Sequence, residues 1–195
     1  MNIGEGEKAV RFARNAVCDE VTFCGISNTL PAAFDRPSGV FVTLNTYPSL
    51  ELRGCIGYPG PAYPLKRALE LSARSACHDP RFPDLDESEL DHVVVEVTIL
   101  TPPEPMAVKR REDLIDMIKI GKHGLMIEYR GRTGVFLPQV PVEWDWNVLE
   151  YLENLCRKAG IPKDAWKEQN CNIYSFEGRI FKETSPNGDI AEVKE

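Results

Sequence analysis

The sequence predicts an α+β fold whose strands pair mainly in antiparallel fashion. Stretches with apolar residues at steps of three and four, typical of amphipathic helices, are mixed with short stretches rich in β-branched and aromatic residues, typical of strands. The chain lacks the regular strand–helix–strand alternation that builds a parallel sheet, and it has no glycine-rich nucleotide-binding motif. Its 195 residues fit one domain, or one domain that carries a smaller lobe.

The first half of the chain begins with an amphipathic helix. Seven small or apolar residues between positions 9 and 24 recur at helical spacing and form one stripe. Three prolines between positions 57 and 64 remove backbone donors, so this stretch is predicted to be an ordered loop. The amphipathic helix is predicted over 5–24. The other predicted elements are a strand over 39–45, its hairpin partner over 50–56 and a helix over 65–77.

The second half follows the same mixed pattern. Alternating valines predict a strand over 92–101, which ends at a Pro-Pro pair. Leucines at helical spacing predict a long helix that stops at a glycine. The predicted elements after the first strand are a helix over 112–120, a hairpin of strands 125–129 and 135–137 with its turn over 131–134, a helix over 147–159, a strand over 171–182 bent at Gly178, and a frayed tail over 186–195.

Charge and hydropathy exclude several classes of protein. The chain has 23 Lys and Arg against 30 Asp and Glu, a net charge of -7, and the two signs are interspersed. Nucleic-acid binding proteins usually carry a clustered basic face, so nucleic acid is not an expected partner. The apolar runs are too short for a membrane span, and the first eight residues lack the apolar core of a secretory signal. We therefore expect a cytoplasmic protein without membrane contact.

The cysteine and histidine content predicts neither disulfides nor a metal site. No two of the six cysteines have the two-residue spacing of zinc or thioredoxin-type sites. The default for such cysteines is a reduced thiol, most often a small buried hydrophobe. The three histidines are widely separated in the sequence. No cofactor is assigned by these features.

The most unusual segment is the hexapeptide Leu-Arg-Gly-Cys-Ile-Gly at positions 52–57. Gly54 and Gly57 flank Cys55, and glycine at a strand end allows either a positive φ or close approach of another group. The neighbouring Arg53 is expected to lower the pKa of the thiol and favour the nucleophilic thiolate. The alternative is a strand end in which Cys55 only fills space in the core.

This hexapeptide, preceded by the strand Phe-Val-Thr-Leu, resembles the signature of the AMMECR domain family. Further blocks similar to that family follow in the family's order along nearly the whole chain. They are found at positions 79–82, 96–102, 121–124, 137–140, 146, 155–156 and 158–160. The length resembles the free-standing microbial form of the family, found in archaea.

The resemblance implies a fold of two packed α/β subdomains with largely antiparallel sheets, within a single domain over 1–195. It implies no reaction, because the family has no established biochemical activity. Some microbial members are associated with Memo-like and radical-SAM proteins. That association indicates an accessory role in a modification pathway, with these proteins as expected partners.

The main hypothesis is a binding or accessory module. Its cleft would recognise an anionic small molecule, a nucleotide or a partner segment, and Arg81 would join Arg53 as an anion clamp. The alternative for Asp79 and Arg81 is a structural corner held by an ion pair. The residues expected to line the cleft are Arg53, Gly54, Gly57, Tyr58, Asp79, Arg81, Lys122 and Gln139.

The alternative hypothesis is a cysteine-dependent enzyme with Cys55 as nucleophile. His123 would serve as its base, because a helix C-terminus before this residue is expected to raise its pKa and favour the cation. A surface or capping role is the alternative for His123. The segment Glu-Trp-Asp-Trp at 143–146 is interpreted as a helix cap with two core anchors in preference to a stacking platform.

Overall fold

The computed structural model of this protein describes residues 2–25 and 29–193. The chain divides into two compact units. The first unit consists of residues 1–100 and 179–195, and the second consists of residues 101–178. Among the described residues, no helix combines the length and apolar character that a bilayer-spanning segment needs.

Both units are built from helices and antiparallel strands, so the predicted α+β class is confirmed. In the described ranges the helices are α1 (Ile3–Thr22), α2 (Leu65–Ala76), α3 (Leu114–Met117), α4 (Gln139–Glu143) and α5 (Val148–Lys158). The strands are β1 (Val40–Thr46), β2 (Leu52–Tyr58), β3 (Val93–Leu100), β4 (Glu104–Pro105), β5 (Gly124–Tyr129), β6 (Arg132–Phe136), β7 (Asn172–Phe176), β8 (Gly178–Glu183) and β9 (Ile190–Val193).

The first unit is a five-stranded sheet with α1 and α2 packed on one face. The strand order is β2-β1-β3-β8-β9, so β2 lies at an edge. Alternate residues of β1 are buried because one side of the strand faces the helices. The small residues of the α1 stripe, Ala9, Ala13 and Ala16, are fully buried in this core. Asn2 caps α1 by accepting the backbone N–H of Glu5.

A buried ion pair joins α1 to the sheet. The guanidinium of Arg14 donates to the carboxylate of Glu183, and it also donates to the carbonyl of Val93 at 2.7 Å. The same carboxylate accepts the backbone N–H of Val95 at 3.0 Å. Both charged side chains are buried, and their hydrogen bonds offset the cost of removing them from water.

The second unit is a four-stranded sheet in the order β4-β7-β5-β6, with α5 packed against it. Asn147 and Glu150 form a reciprocal capping box at the start of α5. Gly134 of β6 lies under the end of α5, where a Cβ atom would meet the backbone nitrogen of Ala159 at 2.9 Å. The core consists of apolar side chains from α5 and the inward faces of β5 and β7.

Two predicted elements of the second half were wrong in their boundaries. The turn of the β5–β6 hairpin is Arg130 and Gly131, which both have positive φ, and not 131–134. This two-residue geometry matches the twist of the paired strands. The predicted helix 112–120 is shortened to α3, because Ile118 has extended backbone geometry.

The predicted bent strand over 171–182 is two strands that belong to different sheets. Strand β7 pairs with β5 in the second unit, while β8 pairs with β9 in the first. The tail predicted to fray from residue 186 forms β9 over Ile190–Val193. The pairing with β8 gives its backbone hydrogen bonds, which a frayed segment lacks. Strand β2 extends to Tyr58, two residues into the predicted loop 57–64.

Candidate functional site

The hexapeptide at 52–57 lies on β2, the edge strand of the first unit. Gly54 and Gly57 are not among the described glycines with positive φ. Both positions require glycine because a neighbouring backbone group approaches them closely. A Cβ atom on Gly54 would lie 2.3 Å from the carbonyl oxygen of Ala76 at the end of α2. A Cβ atom on Gly57 would lie 2.4 Å from the carbonyl oxygen of Val40. Helix α2 and strand β1 can therefore pack against β2 only where the side chain is absent.

Asp79 closes the outer edge of β2. Its Oδ2 accepts the backbone N–H of Cys55 at 2.9 Å, and its Oδ1 accepts the backbone N–H of Arg81 at 3.0 Å. The carboxylate is only 2% exposed. Hydrogen bonds from the Arg81 guanidinium, together with these two N–H groups, hold the pKa of Asp79 well below its usual range. A buried carboxylate thus occupies a position where another strand could otherwise pair.

Two arginines flank this edge, and each is held by a carboxylate. Arg81 donates from Nε and Nη2 to Asp79 at 3.0 and 2.7 Å, yet its side chain remains 56% exposed. Arg53 donates from Nε and Nη2 to Glu89 at 2.7 and 2.9 Å. Both guanidinium carbons lie within 6 Å of the Phe82 ring centroid, at 5.9 and 5.7 Å. The ion pair of the structural-corner interpretation is present, and the anion clamp stays a prediction.

Cys55 lies in a polar row across the sheet. It is opposite Thr43 of β1, which is in turn opposite Glu96 of β3. The Thr43 hydroxyl donates to the Cys55 sulfur at 3.3 Å. Burial raises the pKa of the Cys55 thiol, and it outweighs the hydrogen bond from Thr43 and the charge of Arg81. The expectation that Arg53 lowers the pKa of the Cys55 thiol was wrong, because the Arg53 guanidinium is paired with Glu89.

Sequence reasoning missed three members of this environment: Thr43, Glu89 and Glu96. Burial raises the pKa of the Glu96 carboxyl, with Lys182 opposing the shift. Polar residues that alternate with buried valines in β1 and β3 were the available signal for Thr43 and Glu96. Strand register was needed to place them beside Cys55. No local pattern connects Glu89 to Arg53, which is 36 residues away.

The remaining predicted site residues lie elsewhere in the two units. Tyr58 ends β2 and packs edge-on against Tyr63, with ring centroids 5.3 Å apart. Lys122, His123 and Gln139 belong to the second unit. Their participation in one cleft with the residues of β2, including the approach of His123 to Cys55, stays a prediction.

The expectation that the pKa of His123 is raised, which would favour its cation, was wrong. Burial lowers the pKa of this imidazole, although the carboxylate of Glu177 opposes the shift. Helix α3 ends at Met117, so its C-terminus does not lie directly before His123 as the sequence suggested. The ring nitrogen Nδ1 accepts the backbone N–H of Lys119 at 3.3 Å. The neutral ring is therefore favoured.

The chain is similar in sequence and in fold to known proteins. The chain is 48% identical over 196 residues to a protein of Methanococcus aeolicus, covering 100% of this chain and 98% of that protein. It is 48% identical over 198 residues to a protein of Methanocaldococcus jannaschii, with the same coverage. The crystal structure of an uncharacterised protein from Pyrococcus horikoshii has a TM-score of 0.77 at 40% identity and covers 98% of each chain. The sequence model of the AMMECR1 family matches residues 10–181. The chain therefore belongs to the AMMECR1 family.

Proposed function

We propose that this protein is a binding module whose first unit recognises an anionic group of a small molecule, a nucleotide or a partner segment. The surface that would bind it is formed by Arg53, Cys55, Arg81 and the ring of Phe82. A module of this kind suits the accessory role beside Memo-like and radical-SAM proteins that the family resemblance implies.

The observation that carries the proposal is the fixed but exposed guanidinium of Arg81. Asp79 engages its Nε and Nη2, so the side chain is ordered before any ligand arrives. In residues 2–25 and 29–193, the Nη1 atoms of Arg81 and Arg53 have no hydrogen-bond partner. An oxyanion that binds there would avoid much of the entropy cost of ordering a long side chain. Arginine suits this role because its remaining N–H groups keep a planar geometry.

The enzyme alternative has less support. A nucleophilic cysteine functions as the thiolate, whereas burial raises the pKa of Cys55. In the first unit, the imidazole of His78 contacts the carboxylates of Glu20 and Asp84. Both of its ring nitrogens are thus occupied by carboxylates. We therefore rank binding above covalent catalysis for this site.

The test is ligand-dependent thermal stabilisation with three probes: pyrophosphate, adenosine monophosphate and citrate. We expect at least one probe to raise the Tm of the protein and Arg81→Gln to lose that increase. Arg36→Gln is the matched control, because this exposed arginine has no side-chain partner among the described residues. The control should keep the full increase, measured against the Tm of each free variant.

A double variant separates binding from folding. Asp79→Asn combined with Arg81→Gln removes both charges, while the asparagine oxygen can still accept the N–H of Cys55. If the double variant folds and still binds the probe with the original affinity by calorimetry, the proposal is wrong. The absence of a response to all three probes in the original protein would also contradict it.

A further inference from the structure

An exposed pair of stacked indoles projects from the second unit. The sequence favoured two core anchors for Trp144 and Trp146, but Trp144 is 67% exposed. Its ring stacks on that of Trp146, with centroids 6.2 Å apart and planes inclined by 20°. Trp146 contacts the ring of Phe136 edge-on at 5.5 Å. The outer ring is thus fixed to the core through a second ring, and its outer area is in solvent.

The backbone between the two tryptophans creates this arrangement. Asp145 has a φ of +51°, in the left-handed region that aspartate tolerates better than most residues. The N–H of Trp146 then donates to the carbonyl of Pro141 at 2.8 Å and closes the turn after α4. If the helix continued through this segment, side chains two residues apart would not face each other. The left-handed residue brings both indoles to the same side.

Two carboxylates border the exposed ring in the sequence, and both are exposed. Glu143 precedes Trp144 and Asp145 follows it. Throughout the described residues, neither carboxylate has a hydrogen-bond or ion-pair partner. Two basic groups of the second unit are already engaged: Lys122 pairs with Glu177 at 3.2 Å, and Lys158 lies over the Phe136 ring. The surface therefore combines an open aromatic face with unneutralised negative charge.

We propose that the Trp144–Trp146 pair is a docking site for an arginine side chain of a partner protein segment. A guanidinium stacks on the face of an indole through its cation–π interaction, and tryptophan is the strongest aromatic partner. Its N–H groups can at the same time donate to the carboxylates of Glu143 or Asp145. A neutral aromatic ligand would use the indole but leave both charges unpaired. The surface lies in the second unit and does not rest on the anion site of the first.

The experiment adds a short peptide, with two arginines separated by glycine, to the full chain. Binding is measured by calorimetry and by the NMR signals of the indole N–H groups. The same peptide with citrulline in place of arginine keeps the shape but lacks the charge. We expect the arginine peptide to bind and shift the signals of Trp144 and Trp146, while the buried Trp166 stays unchanged. Citrulline should weaken binding at least about threefold.

Variants locate the effect. Trp144→Ala and the double variant Glu143→Gln with Asp145→Asn should each weaken binding at least about threefold, whereas Trp144→Phe should retain part of it. The control is Glu51→Gln with Glu87→Gln, which removes from the first unit two exposed charges that have no side-chain partner among the described residues. It should alter binding less than about twofold. The proposal is overturned if the citrulline peptide binds equally well, if folded Trp144→Ala binds normally, or if the arginine peptide fails to bind.

Discussion

The Cys55 thiol lies beside the Thr43 hydroxyl on a half-buried part of the sheet. Burial raises the pKa of the thiol and the hydrogen bond from Thr43 lowers it in part. We expect Cys55 to react with iodoacetamide more slowly than the exposed Cys24 near neutral pH, with a rate that still rises above a pH of about 8.5. Thr43→Val should shift this profile to still higher pH. Peptide mapping after alkylation provides the measurement.

The opposite outcome of the alkylation experiment has a clear meaning. If Cys55 is the fastest of the six thiols at neutral pH, the thiolate is stabilised in a way the surrounding groups do not explain. The enzyme alternative would then replace the binding module as the leading hypothesis. A slow Cys55 leaves the hexapeptide as a shaped strand edge that positions Arg53 and Arg81.

Gly54 is the residue of the hexapeptide with the strictest steric requirement. A methyl group there would lie 2.3 Å from the backbone oxygen of Ala76, which cannot move without disturbing α2. We expect Gly54→Ala to lower the free energy of unfolding by about 1–3 kcal/mol. Gly60→Ala is the control, because no atom lies within 4 Å of the added methyl group. Urea denaturation that shows equal stability for both variants would disprove this explanation.

At the level of elements, the Arg14–Glu183 pair determines how α1 is held against β3 and β8. Removal of one partner leaves the other charge buried without compensation. We expect Glu183→Ala to lower the free energy of unfolding by about 3–5 kcal/mol. Asp35→Asn, which breaks the exposed pair with Lys66, should change it by less than about 1 kcal/mol.

The junction between β7 and β8 shows where element-level prediction reached its limit. Residues 172–183 have the composition of one long strand, and the sequence predicts only a bend at Gly178. The structure divides them between two sheets, because β7 finds its partner in β5 and β8 finds its partner in β9. A strand's own residues fix its β-character, whereas its sheet depends on partners far away in the sequence.

For the whole molecule, stability should decrease in acid. Asp79, Glu20 and Glu89 accept hydrogen bonds from arginines, which lower the pKa of each carboxyl in the folded state. Their stabilisation is present above the ordinary carboxyl pKa of about 4 and is lost as the pH falls towards the folded-state pKa. We expect the free energy of unfolding to decrease as the pH falls from about 5 to about 3, a range that extends about one pH unit on each side of the ordinary carboxyl pKa.

The variant Asp79→Asn tests the largest of these contributions. It should be less stable than the original protein at neutral pH, because the ion pair with Arg81 is gone. It should also lose less stability on acidification, since it has one fewer carboxyl to protonate. Parallel pH curves for the two proteins, measured by urea denaturation, would show that Asp79 makes no such contribution.

The sequence by itself determined the fold class, the main helices and strands, and the family. These features follow from hydrophobic periodicity, turn residues and short motifs, which are properties of neighbouring residues. The hexapeptide was recognised in this way, and the fold class and family were confirmed.

The tertiary structure alone decided which charged groups are paired and which side chains are exposed. Arg53 meets Glu89, Arg14 meets Glu183, and the carboxylate of Asp79 closes the edge of β2, although the partners lie 24 to 169 residues apart. Trp144 is exposed, and its indole stacks on that of Trp146 across the left-handed residue Asp145. Such outcomes depend on register, topology and backbone geometry, which arise only when distant segments pack together.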